Sequence, residues 1–371
     1  MTISRRQTLA LIGGGTLLAA TAGAGTFLST RTPHAALAPW TTAGNPTDPR
    51  LAALSWALLA PNPHNRQPWE AELIGDDTVR LFRDPARDLP HTDPFGRQLT
   101  IGMGCFLELM VIAASATGHG VELDLFPDGE GPGAPVATAR LVAGGATRDP
   151  LFAHIPVRRT TREAYEARLP APGAVAALSA FARVVTDTPT VAALRDLTWQ
   201  GWLTEALTPA AHGESVDLMR IGRAEIEANP DGIALGGAFF ETLALLGILT
   251  RDSQRDPDSR GFRTGVEIYE KIIAATPAFA VITTPGNDAA THVEVGRRWM
   301  RFDLTAAGAG LRVHPLLQVT QEYAEMAGLR AQAQDLLAGP GETVQMIARL
   351  GHGPAIGPAP RWPLETRMRN A

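Results

Sequence analysis

The chain has 371 residues, 45% of them apolar and 19% charged, enough to fill a core and too few charges for a disordered polymer. A formal charge of -5 and a pI near 6.0 leave no basic face for a phosphate backbone, which argues against nucleic-acid binding. The single cysteine, Cys105, excludes an internal disulfide.

Ser4-Arg5-Arg6-Gln7-Thr8-Leu9 is a twin-arginine pattern. An apolar stretch follows from Leu9 to about Leu28, interrupted by Gly13-Gly14-Gly15, and Ala36-Leu37-Ala38 has the small residues of a cleavage site. The stretch could span a bilayer. Its richness in Gly, Ala and Thr favours a cleavable export signal over residues 1–38 ahead of an uncleaved anchor. The expected destination is the periplasm or cell envelope, reached through the twin-arginine export machinery.

Asp48 is placed to cap a helix with Pro49 at its first position and Leu51, Leu54 and Leu58 on one face, ending at Pro61-Asn62-Pro63. Val79 to Phe82 alternates like a strand, a long apolar helix is expected from about Gln98 to Thr117, and Val121 to Phe126 reads as a second strand. A Gly/Pro-rich loop spans Gly129 to Pro135, and a linker is expected near Gly144 to Pro156. Phe279 to Thr283 then reads as a buried strand, and Val295 to Ala309 as a helix leading through Gly310 to Val313. Setting Ala114 against Ala306 aligns Gly118 with Gly310 and Val121 with Val313, a weak sign of a duplicated helix–strand unit.

Three segments carry the chemistry. Pro61-Asn62-Pro63-His64-Asn65-Arg66-Gln67-Pro68-Trp69 is a proline-punctuated loop whose amides offer donors and acceptors suited to a heterocycle. A plainer reading is a rigid turn whose amides satisfy their own backbone. Arg158-Arg159-Thr160-Thr161-Arg162 gathers cations and hydroxyls ahead of Glu163-Ala164-Tyr165. There a helix start would welcome a phosphate, unless the run is a solvated charged face. The tail, Met346 to Gly353 and then Pro358-Ala359-Pro360-Arg361-Trp362-Pro363, reads as a strand, a glycine turn and an extended arm. The histidines show no metal-ligand spacing, and Gly213-Glu214-Ser215-Val216-Asp217 misses the last glycine of a nucleophile elbow, so neither a metal site nor a catalytic nucleophile is expected.

In this order the segments resemble the nitroreductase family, in its Acg-like branch, over most of the chain after residue 45. His64-Asn65-Arg66-Gln67-Pro68-Trp69 is similar to the family's Asn-x-Gln-Pro-Trp motif. Asp93-Pro94-Phe95-Gly96-Arg97-Gln98, running to Gly102, looks like that branch, and the basic-hydroxyl run and the arm with Arg361 complete the likeness.

The resemblance implies an α+β nitroreductase-like fold with helices around antiparallel or mixed sheets. Because each motif occurs once, it implies a tandem single-chain pseudo-dimer with halves at residues 39–150 and 151–371 and a possible helical lid at about 210–262. It also implies one FMN. Arg158, Arg159, Thr160 and Arg162 would hold its phosphate with Arg361. Asn62, Pro63, Asn65 and Gln67 would line the ring, and Pro315, Leu316, Leu317 and Gln318 would approach its reactive nitrogen.

Hydride would pass from NAD(P)H through the flavin to a nitro, quinone or similar acceptor, with no protein acid–base pair. Asn62 and Pro63 replace the usual small hydroxyl residues, and Ala359 stands where a basic residue often assists. Both departures leave open a protein that binds or sequesters FMN with little turnover. A flavin-independent interaction module is the remaining alternative. Either a monomeric pseudo-dimer or a homodimer is compatible with this organisation.

Overall fold

The computed structural model describes residues 31–369; the twin-arginine pattern and the apolar stretch behind it lie outside the described residues. The strands are β1 (Trp69–Ile74), β2 (Thr78–Arg83), β3 (His119–Leu125), β4 (Ala137–Ala143), β5 (Arg183–Val185), β6 (Met219–Ile221), β7 (Ile233–Leu235), β8 (Ala278–Thr284), β9 (Arg312–Pro315) and β10 (Thr343–Gly351). The helices used below are α1 (Pro49–Ala57), α2 (Arg97–Ser115), α3 (Thr188–Leu207), α4 (Pro209–Asp217), α5 (Gly222–Ala228), α6 (Ala238–Leu245), α7 (Arg260–Ala274), α8 (Ala289–Gly308) and α9 (Ala327–Leu337).

The chain is α+β. One antiparallel sheet has the order β1-β2-β4-β3 and a second the order β5-β8-β10-β9, while β6 and β7 form a small parallel pair. Strand β8 is buried at nearly every position, as its unbroken apolar run Ala278 to Ile282 requires of a strand covered on both faces. One core spans both sheets through α1, α2 and α8, and another packs the second sheet against α3 and α9.

Each sheet is served by one long helix, and these two helices, α2 and α8, cross in the centre. Glycines make the crossing possible. A Cβ on Gly104 would overlap the Val293 carbonyl oxygen and lie 2.9 Å from Gly296 Cα, while one on Gly296 would overlap the Ile101 carbonyl oxygen. Beside the crossing, the buried Glu108 of α2 accepts from Arg297 (2.8 Å) and Arg301 (2.5 Å) of α8.

Local chemistry explains where several elements begin. Asp48 accepts from Arg50 N–H and Pro49 opens α1. Asp288 caps α8 through Thr291 N–H, so this helix begins six residues before the expected Val295. Helix α2 stops at Ser115 rather than Thr117, and β3 starts at His119 rather than Val121. The larger correction concerns Arg158 to Tyr165, which form no helix. Thr160 bridges to Val313, and Thr161 N–H donates to the Val313 carbonyl at 3.0 Å, so the basic run lies extended along β9. β-Branched Thr160 and Thr161 suit that conformation better than a helix.

Candidate functional site

The amide loop is built from strained backbone. His64, Asn65 and Gln67 have φ of 48°, 52° and 50°, a left-handed region that costs a histidine or glutamine more than a glycine. Its own amides hold it there. Asn62 Oδ1 accepts from Gln67 N–H (2.7 Å) and Asn62 Nδ2 donates to the Ala60 carbonyl (3.2 Å). Asn65 Nδ2 donates to the Pro360 carbonyl (3.1 Å), and the fully buried Gln67 donates to the Pro230 carbonyl (2.7 Å) and accepts from Trp362 N–H (2.9 Å). The side chains of Asn62, Asn65 and Gln67 therefore shape the loop and tie it to the C-terminal arm, as the plainer reading of the motif has it. Pro63 packs near Gly102 of α2, where a Cβ would lie 3.1 Å from Asn62 Cβ and 3.4 Å from Pro63 Cδ.

Facing this loop is a cluster of arginines. Arg361 is buried, and its guanidinium donates to the carbonyls of Leu58 (2.7 Å), Leu59 (3.2 Å) and Ala60 (3.0 Å) past the end of α1, and to Asn65 Oδ1 (2.7 Å). Arg158 is buried against Asp303 of α8 (3.1 Å) and also donates to the Leu59 carbonyl (3.2 Å). These two cations, expected at a phosphate, are largely engaged by the protein.

Arg159 is less committed. Its Nη1 donates to the carbonyls of Pro156 and Arg158, its plane lies 4.3 Å over the Trp40 ring, and its buried Nε has no partner. Thr161 Oγ1 is likewise buried and unpartnered.

The cluster is short of negative charge. Burial, with Arg158 and Arg159 nearby, pushes the Arg361 guanidinium down to about 9. Burial, Arg158 and Arg312 push Arg159 down to about 10. Among the described residues, Asp303 is the one carboxylate paired with any of the three, and neither Arg159 nor Arg361 forms an ion pair.

Removing Arg158 would leave Asp303 buried without its cation, a loss of about 3–5 kcal/mol. Arg158→Ala is therefore expected to lower the urea midpoint clearly, whatever it does to a ligand.

Strand β9 links this cluster to the remaining expected residues. Pro315 pairs with Ala348, Leu316 N–H donates to the Ile347 carbonyl (2.9 Å), and Leu317 and Gln318 lead into a short turn against α3. Gln318 Oε1 is buried without a partner. Arg162 is exposed and close enough to His64 and His314 that its charge, after burial, holds both imidazoles neutral. His64 is pushed down to about 4, and His314 lies well below its ordinary value.

Both folded-state values lie below that of a free imidazole, so this stability is complete above about pH 6.5 and lost as pH falls toward 4. The slope is at most about 1.4 kcal/mol per pH unit for each ring. A His64→Gln variant should show a shallower fall of Tm between pH 7 and 4.5 than the parent chain; an unchanged slope would remove His64 from the titration.

The turn between α5 and β7 packs on the loop. Gly232 N–H donates to the Asn65 carbonyl (3.3 Å), and the buried Asp231 takes Arg66 (3.3 Å), Arg87 (2.9 Å) and Arg220 (2.8 Å). Glu214 accepts from the backbone N–H groups of His91 and Thr92 and from the Thr92 hydroxyl.

Sequence reasoning missed His64, Thr161, Arg312, His314 and Trp40. The first four sit within or beside quoted motifs. Trp40 was overlooked because it follows directly on a segment assigned to export.

No family model matches the chain. It is 36% identical over 129 residues to "Putative NAD(P)H nitroreductase Rv3131" of Mycobacterium tuberculosis, a match covering 34% of this chain and 37% of that protein. It is 37% identical over 86 residues to "Putative NAD(P)H nitroreductase acg" of the same species, covering 23% and 26%. The chain thus spans between about a quarter and little more than a third of the length of these relatives.

Among solved structures, a nitroreductase with bound FMN from Bacteroides fragilis aligns at 13% identity and TM-score 0.30, covering 56% of this chain and 90% of that one. A nitroreductase-like family protein from Bacillus cereus aligns at 12% identity and TM-score 0.32, covering 61% and 98%. The longer of the two sequence matches extends over about a third of the chain.

Proposed function

We propose that the chain is an exported FMN-binding oxidoreductase of nitroreductase type, using NAD(P)H and a nitro, quinone or similar acceptor, in which the two sheet-and-helix halves form a single-chain pseudo-dimer. The observation that carries the reading is the under-neutralised cluster of Arg158, Arg159 and Arg361. A buried excess of positive charge is costly unless an anion completes it, and a phosphate monoester is such an anion. Unpartnered Arg159 Nε and Thr161 Oγ1, with exposed Arg162 beyond them, fit the phosphate end of FMN.

When bound, FMN would supply the two-electron chemistry between nicotinamide and acceptor. Arg159, Thr160, Thr161 and Arg162 would orient it through the phosphate, with Arg158 and Arg361 supplying fixed charge behind them. The backbone around Pro63, His64 and Pro315 to Gln318 would position the ring, because the side chains of Asn62, Asn65 and Gln67 are committed to the loop. Neutral His64 beside Arg162 would leave a donor or acceptor free at its unpartnered Nδ1.

A second reading, an FMN-holding protein with little turnover, is favoured by the turn packed on the loop, whose Asp231 is strapped by three arginines. Two measurements test the pair. The purified chain should show flavin absorbance and release FMN on denaturation, whereas a colourless chain that ignores added FMN would sink both readings. Stopped-flow mixing with NADPH or NADH should bleach the bound flavin, and no bleaching over minutes would select the holding protein. Arg159→Ala should weaken FMN binding about tenfold to a hundredfold, the loss of one charge-assisted contact of about 1.5–3 kcal/mol. Unchanged affinity by fluorescence titration would place the phosphate elsewhere.

A further inference from the structure

The described chain begins against an apolar helix. Arg31 pairs with Glu241 of α6 at 2.6 Å, and the other oxygen of this buried carboxylate accepts from Arg223 N–H at 3.0 Å. Around that pair, Gly236-Gly237-Ala238-Phe239-Phe240-Glu241-Thr242-Leu243-Ala244-Leu245-Leu246-Gly247-Ile248-Leu249-Thr250 contains one charged residue, Glu241, and it is turned inward. Phe239 (65%) and Leu245 (77%) of α6 and Leu246 (67%) at its C-terminal cap are exposed. Single exposed apolar side chains are ordinary; three large ones on one short helix and its cap mark a surface that something apolar covers.

Two observations identify the occupant. Leu28 closes the apolar stretch that begins at Leu9, three residues before Arg31. Three extended residues reach about 10 Å, so a bilayer holding that stretch would lie within about 10 Å of the point where Arg31 meets α6.

The second observation concerns the expected cleavage site. His34–Leu37 is helical, Ala36 is buried, and the Ala36 carbonyl accepts from Arg361 N–H at 2.8 Å. Just beyond it, Trp40 Nε1 donates to the Ala359 carbonyl at 2.8 Å and its ring stacks under Arg159. A peptidase needs an accessible, extended strand, whereas here the backbone is helical through Leu37 and Ala36 is buried with its carbonyl taken by Arg361. Helix α2 is also long and apolar enough to cross a membrane, but it is buried between the two halves.

We propose that the chain keeps its N-terminal apolar segment as an anchor and rests on a lipid bilayer through α6, with Phe239, Leu245 and Leu246 in the lipid interface. This inference is independent of flavin binding. It places α6, which follows the turn packed on the amide loop, next to the membrane, where an apolar, lipid-soluble acceptor of the quinone class would be delivered.

The full chain in phosphatidylcholine/phosphatidylglycerol vesicles tests it. Cys105 is buried, so Phe239→Cys, Leu245→Cys and, as an exposed reference, Leu336→Cys can each carry a nitroxide alone. The expected result is that labels at 239 and 245 collide with oxygen in preference to a water-soluble nickel chelate, with the order reversed at 336. Two results would overturn the proposal. One is labels at 239 and 245 as open to the chelate as the reference. The other is protection from both reagents with or without vesicles, which would mean that a second copy or the apolar segment itself covers α6. Intact mass of the chain from the envelope fraction gives a second reading: retention of residues 1–38 supports the anchor, and a chain starting near residue 39 overturns it.

Discussion

Gly296→Ala is expected to destabilise the protein by about 3 kcal/mol or more, at or above the upper end for inserting one methyl group into a packed interior. The added Cβ would overlap the Ile101 carbonyl oxygen and sit 2.8 Å from Gly104 Cα, so it meets backbone, which no rotamer change can move aside. Helices α2 and α8 would have to separate along the core they share. Gly104→Ala should behave alike, through the Val293 carbonyl, and the double variant should cost less than the sum because the first substitution already opens the crossing. Gly265→Ala, in the interior of α7 with nothing within 4 Å of its added Cβ, should instead stabilise by about 0.5–1 kcal/mol. Urea midpoints of the four variants check the set, and a neutral Gly296→Ala would mean that the crossing is looser than its backbone distances imply.

The second large effect belongs to Arg361. Its guanidinium satisfies three backbone carbonyls past the end of α1 and fixes Asn65 of the amide loop. Arg361→Ala strands those acceptors in a buried place at about 1–3 kcal/mol each if nothing replaces them, so a total loss of about 3–5 kcal/mol is expected after water enters. Arg361→Lys should recover little, because a single ammonium cannot reproduce the planar fork. Amide exchange should rise locally, in residues 58–67 and 34–40, before global unfolding is seen. A midpoint within about 0.5 kcal/mol of the parent would show that solvent takes over the role of Arg361.

How much of this was legible beforehand follows from what residue types encode. Helix α1, with Asp48 and Pro49, and the buried strand β8 were readable because capping chemistry and apolar runs are local. The three segments were also readable as unusual, and the structure gathers the amide loop, the basic run and Arg361 in one place. Their division of labour was not readable. An Asn that lines a ligand and an Asn that clamps a strained turn have the same letter, and only the bonds from Asn62, Asn65 and Gln67 distinguish them. The helix expected after Arg162 is absent because pairing with β9, a tertiary event, outweighs local preference. Trp40 was hidden by the neighbouring export pattern, although its ring lies beside Arg159 and Arg361.

The placement of Arg361 also sets an order of events in time. Its bond to the Leu58 carbonyl joins positions 303 residues apart, and the contact of Cys105 Sγ with the Gly296 carbonyl spans 191. During synthesis the first sheet can pair within itself, but the end of α1, the strained loop and the turn at Ala36 stay unfinished until the segment around Arg361 has emerged. Contacts of such long range close slowly, and until they close the unfinished end exposes apolar surface to neighbours. Completion of the N-terminal end therefore waits on the synthesis of Arg361, and a chaperone or early-bound ligand has a defined window in which to act.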